Sequence, residues 1–305
     1  MTQEIKSHQI DDGEVKRADL NTTETGSAVA TKVIAGDGIE LSSTGIDSGT
    51  GDVTVGVSEQ AAVLLGDTAV NGLKMSWVSV NSISIGVGGT RDSTNVYTMT
   101  VPSLLTVDIT SSGVNGLDTG SEATDTWYAV HVIGDTTEVV SPVGLLSLSA
   151  TAPTLPSGYN VFRRVGWVKN DPSSNILRFT QVGLDRTRMY DYIVNETATR
   201  ILTGGSATIY TTVATSSFVP TTSFKVTLHI EFKPKNAVNS VTIIPKGASL
   251  AIGDSIFDIA LSATSTGTHL TRKEIPTDAN QDIEYAVTDN SDLLNLSVAG
   301  FVDEI

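Results

Sequence analysis

Four histidines, His8, His131, His229 and His269, are the residues best suited to proton transfer in this chain, because imidazole titrates near neutrality without help from its surroundings. His131 and His229 stand between apolar neighbours, in AVHVI and TLHIE, and His8 lies in a polar segment. Neither strand histidine has a serine or carboxylate arranged as a relay, so each is expected to face solvent or a polar neighbour. Carboxylate pairs such as Asp11–Asp12 and Asp289/Asp292 carry the groups a glycosidase needs, but any acidic chain offers such pairs. Asp37, Asp47 and Asp52 sit among glycines, as in calcium-binding repeats, yet the tandem period that lets adjacent turns share an ion is missing. Turn formation is their expected role. The absence of cysteine excludes disulfides, thiolate zinc sites, iron–sulfur clusters and thiol nucleophiles. Nothing matches the nucleophile elbow, the phosphate-binding loop, the H-E-x-x-H zinc helix or the EF-hand loop. The sequence therefore predicts no catalytic residue, no metal and no cofactor.

Six aromatic residues, Trp77, Trp127, Tyr128, Tyr159, Phe162 and Trp167, fall in the middle of the chain and would make a sugar-stacking platform if they shared a surface. Three Trp, seven Tyr and seven Phe are few for 305 residues, so core packing is expected to use most of them. Arg163–Arg164 beside Trp167 offers two guanidinium groups, but consecutive strand residues point to opposite faces, so the two cannot act on one anion. Asn21, Asn195 and Asn295 head glycosylation-type tripeptides, which carry no meaning without secretion.

The elements that must position these groups follow from composition. Thr and Ser make up about a quarter of the chain and 27 residues are Gly, which favours strands and turns over long helices. A net charge of −15, from 19 Lys+Arg against 34 Asp+Glu, repels phosphate backbones, and no basic cluster offsets it. Nucleic acid is not an expected partner. MTQEIKSHQI lacks the apolar stretch of a signal peptide, and the longest apolar run, Ala61–Leu65, is far short of the ~20 residues of a bilayer span. A soluble chain made in the cytoplasm, without membrane insertion, is the expectation.

Three regions are predicted in an all-β chain. Residues 1–57 form an extended N-terminal arm followed by short strand pieces at Val33–Ile34, Ile39–Leu41 and Val53–Val55, separated by Gly/Asp turns. The arm has spaced apolar residues and too few of them to close a core, so it orders only against a partner. The strand pieces are too short to bury a face alone. A short helix is predicted at Glu59–Leu65. Residues 58–190 form a middle antiparallel β module, with strands around Met75–Val87, a Gly88–Gly89 turn, Tyr97–Val101, Thr126–Gly134 and a return at Glu138–Val140. Ala152–Tyr159 is surface loop, and Asn160–Lys169 and Ile176–Val182 form a hairpin across Asn170–Ser174. Residues 191–305 form a C-terminal β-sandwich of jelly-roll type with about eight strands, among them Phe224–Phe232, Val241–Ile244, Ile256–Leu261, Ile283–Val287 and Leu294–Val298.

Two stretches carry a resemblance. VKRADLNTT, followed by VIAGDGIELSSTGIDSGTGDVTV, resembles the N-terminal region of tailed-bacteriophage fibre proteins, with Gly36, Gly38, Ile39, Leu41, Asp47, Gly49, Thr50, Gly51, Asp52 and Val53 in matching positions. TDTWYAVHVIGD and ATAPTLPSGYNVFRRVGWVKNDPSSNILRFTQVG resemble a β module of phage structural and tail-fibre proteins. Together they cover about a third of the chain. The resemblance implies a virion surface protein, a fibre-type homotrimer held on other virion proteins of head or tail through its N-terminus. Ile10, Val15, Lys16, Arg17, Asp19 and Leu20 are then the particle anchor, and Val33, Ile34, Ile39, Leu41, Val53 and Val55 the trimerisation residues. A tail fibre that meets a host surface receptor is the first expectation. A head fibre or capsid decoration protein is the alternative, and a tailspike-type hydrolase a more distant one, since no ladder of β-helix rungs is present.

Overall fold

The computed structural model describes residues 39–41, 55–57, 70–183, 186–236, 239–248 and 267–305. The predicted helix at Glu59–Leu65 and strand at Ile256–Leu261 lie outside these residues. The fold is all-β: the described elements are strands, apart from one 3-10 turn at Glu196–Thr199. The chain divides into two compact units, Met1–Ala62 and Val63–Ile305.

In the first unit β1 (Ile39–Leu41) pairs antiparallel with β2 (Val55–Val57). The register sets Ile39 opposite Val57, Glu40 opposite Gly56 and Leu41 opposite Val55. The second strand thus begins where the expected Val53–Val55 piece ends. The pairing occupies one ladder of three residue pairs with aliphatic residues at its first and third positions.

The second unit runs through β3 (Val70–Gly72), β4 (Met75–Ser79), β5 (Ser82–Ile85), β6 (Gly88–Arg91), β7 (Thr98–Val101), β8 (Leu105–Asp108) and β9 (Thr126–Gly134). It continues with β10 (Val143–Ser147), β11 (Val161–Asn170), β12 (Phe179–Val182), β13 (Thr187–Tyr192), β14 (Arg200–Gly205) and β15 (Thr211–Ala214). The last strands are β16 (Ser223–Lys233), β17 (Val241–Pro245), β18 (His269–Pro276), β19 (Asp282–Val287) and β20 (Leu293–Glu304). A nine-stranded sheet has the order β18-β16-β20-β13-β12-β4-β5-β8, with β14 also on β20. Three smaller sheets are ordered β10-β9-β11, β15-β19-β17 and β3-β6-β7.

β20 organises the large sheet. One of its edges pairs with β16 along nearly its whole length. The other edge takes β14 over Leu294–Ser297 and then β13 over Gly300–Glu304. The 3-10 turn between β13 and β14 is capped by the Asn195 side chain, which accepts from Thr197 N. Because β13 spans the expected 190/191 boundary and lies between β12 and β20, the large sheet contains strands from both sides of it, and Val63–Ile305 is one compact unit.

Four local expectations need correction. Gly88–Gly89 lies in a strand, β6, rather than a turn, and the return after β9 is β10, further along than Glu138–Val140. The Asn170–Ser174 turn forms: Asp171 Oδ1 accepts from Ser173 N and Asn175 N at 2.8 and 2.9 Å. Its flanks make only the start of the expected hairpin: Asn170 bridges Ile176 antiparallel and Leu177 N donates to Lys169 O at 2.9 Å, but Ile176 N also donates to Val80 O at 2.7 Å, and β12 continues into the large sheet while β11 stays on β9. Finally, Val226, Leu228, Ile230 and Phe232 alternate inward as period 2 requires, but Phe224 is exposed. The β16–β20 register shifts between Ser223 and Lys225, and Phe224 is the extra residue of that bulge.

The core centres on Phe301. Tyr190 stacks on it at 4.3 Å between centroids, and Trp127 meets it edge-on at 5.7 Å. Two close approaches demand glycine there. A Cβ on Gly300 would lie 1.8 Å from the Tyr190 carbonyl oxygen, and one on Gly166 would lie 2.1 Å from the Tyr190 hydroxyl.

Candidate functional site

Side-chain by side-chain, most of the groups able to do chemistry turn out to hold structure. His131, on β9, is fully buried and meets a polar neighbour, the second of its two expected settings. Its Nε2 lies 3.0 Å from Ser149 O, and the Phe162 ring stands edge-on to it at 5.6 Å. Burial, with Arg164 nearby, holds its pKa down to about 4, so the ring is neutral at pH 7. His229 lies half-exposed, 3.6 Å from the Glu196 carboxylate, at a sheet position flanked by Arg272 and Ser297.

The Asp289/Asp292 pair shapes a turn. Asp292 is fully buried and accepts from Lys235 N and Asn239 Nδ2 at 2.7 Å each, and from Asp289 N at 3.1 Å. Asp289 accepts from Ser291 N at 2.8 Å, and that bond holds its carboxyl below the usual range. Both carboxylates are thereby engaged in holding the turn. Asp92 is similar, collecting the amides of Thr94, Val96 and Tyr97. No group of three metal-ligating side chains occurs among the described residues.

Arg163 and Arg164 point apart, as strand geometry requires. Arg163 donates to Asp92 O and Asn95 Oδ1 at 3.1 and 3.0 Å. Arg164 donates to Asp303 Oδ2 at 2.5 Å and to Glu304 O at 2.6 Å. Thr222 bridges Asp303 Oδ1 at 2.5 Å and accepts from Trp167 Nε1 at 2.8 Å. Burial pushes the Asp303 carboxyl up, while Arg164 and Thr222 pull it back. This cluster fastens the β9–β11 sheet to β20.

The aromatic residues of the middle region divide between core and surface. Tyr128 and Trp167 are buried, and Trp127 packs edge-on against Trp167 and Phe301. Trp77 stands apart. It lines a surface groove of about 290 Å³ where β4 and β12 share a single ladder pair, Thr180 with Ser76. Gln181, buried beneath, stands in for the missing ladder bonds by accepting from Met75 N at 2.7 Å and donating to Tyr190 Oη at 2.7 Å. Lys74, Ser76, Arg178, Thr180 and Ile193 complete the exposed walls. The Arg178 guanidinium lies 5.2 Å from the Trp77 ring centroid, and the indole N–H donates to Ile176 O at 3.0 Å. Nothing in the sequence sets Arg178 and Lys74 apart from other surface cations. Only the β4–β12 pairing, between residues about a hundred apart, brings them together.

Of the expected trimerisation residues, Ile39, Leu41 and Val55 lie in the β1–β2 pair. Val33, Ile34 and Val53 and the anchor residues Ile10, Val15, Lys16, Arg17, Asp19 and Leu20 lie outside the described residues, as do His8, Asp11, Asp12, Asp37, Asp47 and Asp52.

No protein-family model matches the chain, and no curated protein matches it. Among solved structures, that of infectious bursal disease virus Gx strain aligns at 13% identity over 77% of this chain and 67% of that chain, with a TM-score of 0.18. The Gt strain of the same virus aligns at 16% identity over 77% and 66%, also with a TM-score of 0.18. A TM-score at that level is too low to relate the folds.

Proposed function

We propose that the chain is a bacteriophage virion surface protein of fibre type, a homotrimer anchored by its N-terminal segment and involved in host attachment from the tail. One observation carries this reading furthest. Within Met1–Ala62 the stretch that resembles phage fibre N-termini forms a two-stranded pair whose aliphatic residues Ile39, Leu41, Val55 and Val57 occupy facing positions of the ladder. Two strands of three residues are marginal in water, and copies gathered about a threefold axis supply the missing apolar neighbours. The second support is negative in kind: among the described residues, Asp289 and Asp292 hold a turn and the buried His131 is held in packing.

Sedimentation of the full chain tests the assembly. A species near three times 32.0 kDa is expected, and a clean monomer at micromolar concentration overturns the reading. Removing residues 1–57 should shift the trimer toward monomer with most of the β content retained. Gold labelling of intact particles then separates tail from head. Label confined to the capsid would favour a head fibre or decoration protein instead.

A further inference from the structure

We infer that the groove between β4 and β12 binds a carboxylated saccharide, with Arg178 and Lys74 holding the carboxylate and Trp77 offering its indole to the sugar ring. Charge is the first argument. The chain carries −15, yet no acidic residue lines this groove among the described residues, whereas Lys74 and Arg178 both do. Arg164, Arg186, Arg200 and Arg272 each pair with a carboxylate, and Arg178 pairs with none among the described residues. Asp191, the ladder partner of Thr180, is the acid next to the groove on this sheet, and it is already held by Arg272. A guanidinium with no ion pair among the described residues, set in place by stacking on Trp77, has donors ready for an external carboxylate.

Shape and chemistry give the second argument. The volume of about 290 Å³ sits at the lower end of small-molecule sites, which suits one or two sugar rings. Ser76 and Thr180, exposed and directly opposite each other, present two hydroxyls that both donate and accept, as sugar hydroxyls require. The half-buried indole and exposed Ile193 offer apolar contact for the C–H face of a ring. An extended acidic peptide would use the two cations but leave the hydroxyl pair and the indole without matching groups. The site lies wholly within Val63–Ile305, so the inference does not depend on the virion reading.

Titration of the full chain with digalacturonate, its neutral dimethyl ester and an Asp/Glu tetrapeptide, followed by tryptophan fluorescence and calorimetry, tests it. Digalacturonate should bind with a Kd in the millimolar range, and the ester on the order of tenfold more weakly. Arg178→Gln should weaken digalacturonate by a similar factor and Lys74→Gln by less, while Lys273→Gln, an exposed cation on β18, should leave it unchanged. Circular dichroism confirms that each variant folds. Equal binding of acid and ester, or binding indifferent to Arg178→Gln, overturns the site. A peptide that binds as tightly as digalacturonate overturns the saccharide assignment, and absence of saturation by any carboxylated probe overturns both.

Discussion

Acidification from pH 7 to pH 5 should remove about 2 kcal/mol of folding stability through His131 alone. In the folded chain the imidazole is fully buried, with its pKa held down to about 4, whereas the unfolded chain exposes it near 6.5. A depressed folded pKa means that the unfolded state takes up the proton first. The stability it represents is therefore present above pH 6.5 and lost as pH falls toward 4. At 1.36 kcal/mol per unit the complete loss is about 3 kcal/mol, of which roughly 2 is gone by pH 5. Carboxylates titrate over part of the same range, so the measurement must be a difference. Urea unfolding of wild type and His131→Gln, followed by tryptophan fluorescence at pH 7, 6 and 5, supplies it. The glutamine has no titrating group and keeps a donor toward Ser149 O. The variant should start less stable and lose about 2 kcal/mol less than wild type over that span. His131→Leu serves if the glutamine variant folds poorly. Parallel pH slopes for wild type and both variants would refute the argument, as would an imidazole that titrates above pH 6 in the folded chain by NMR.

Three further perturbations address packing. Gly300→Ala places a methyl 1.8 Å from Tyr190 O and should break the β13–β20 ladder, giving little soluble folded protein in expression and dichroism assays. Arg164→Met should cost about 3–5 kcal/mol in chemical denaturation by stranding the buried Asp303 carboxylate, and the double variant with Asp303→Leu should recover part of that loss. Phe224→Ser should change stability by less than about 0.5 kcal/mol, whereas Phe232→Ala, eight residues along the same strand, should cost about 3–5 kcal/mol in the same assay.

What the sequence made legible was local. Thr126–Gly134 announced itself as a strand through its run of β-branched and aromatic residues, and the structure places β9 at those residues. The alternation of Val226, Leu228, Ile230 and Phe232 read correctly, but the bulge that turns Phe224 outward depends on its partner β20, some eighty residues on. The Asp171 turn was visible in its residues, while the destination of the strand after it was not, since that is decided by an amide bond to Val80. The groove is illegible for the same reason: Lys74 and Arg178 look like ordinary surface cations until the β4–β12 pairing sets them on one wall. His131 was legible as a strand residue, but not its burial, because its cover comes from Phe162 on β11 and the Ser149 carbonyl beyond β10.

The position of β20 has a consequence for how the chain acquires its fold. This strand sits in the interior of the nine-stranded sheet, yet it is synthesised after all its neighbours. Until Leu293–Glu304 leaves the ribosome, β16 and β13 each present an open edge where β20 will later pair, and Tyr190 lacks the Phe301 ring that covers it. The sheet therefore closes only when Leu293–Glu304 pairs between these edges, through contacts distant in sequence. Open edges of that kind are templates for other chains in the interval before closure. Slow, concentration-sensitive refolding is the corresponding behaviour. Deleting these twelve residues would split the central sheet at β20 rather than trim its margin.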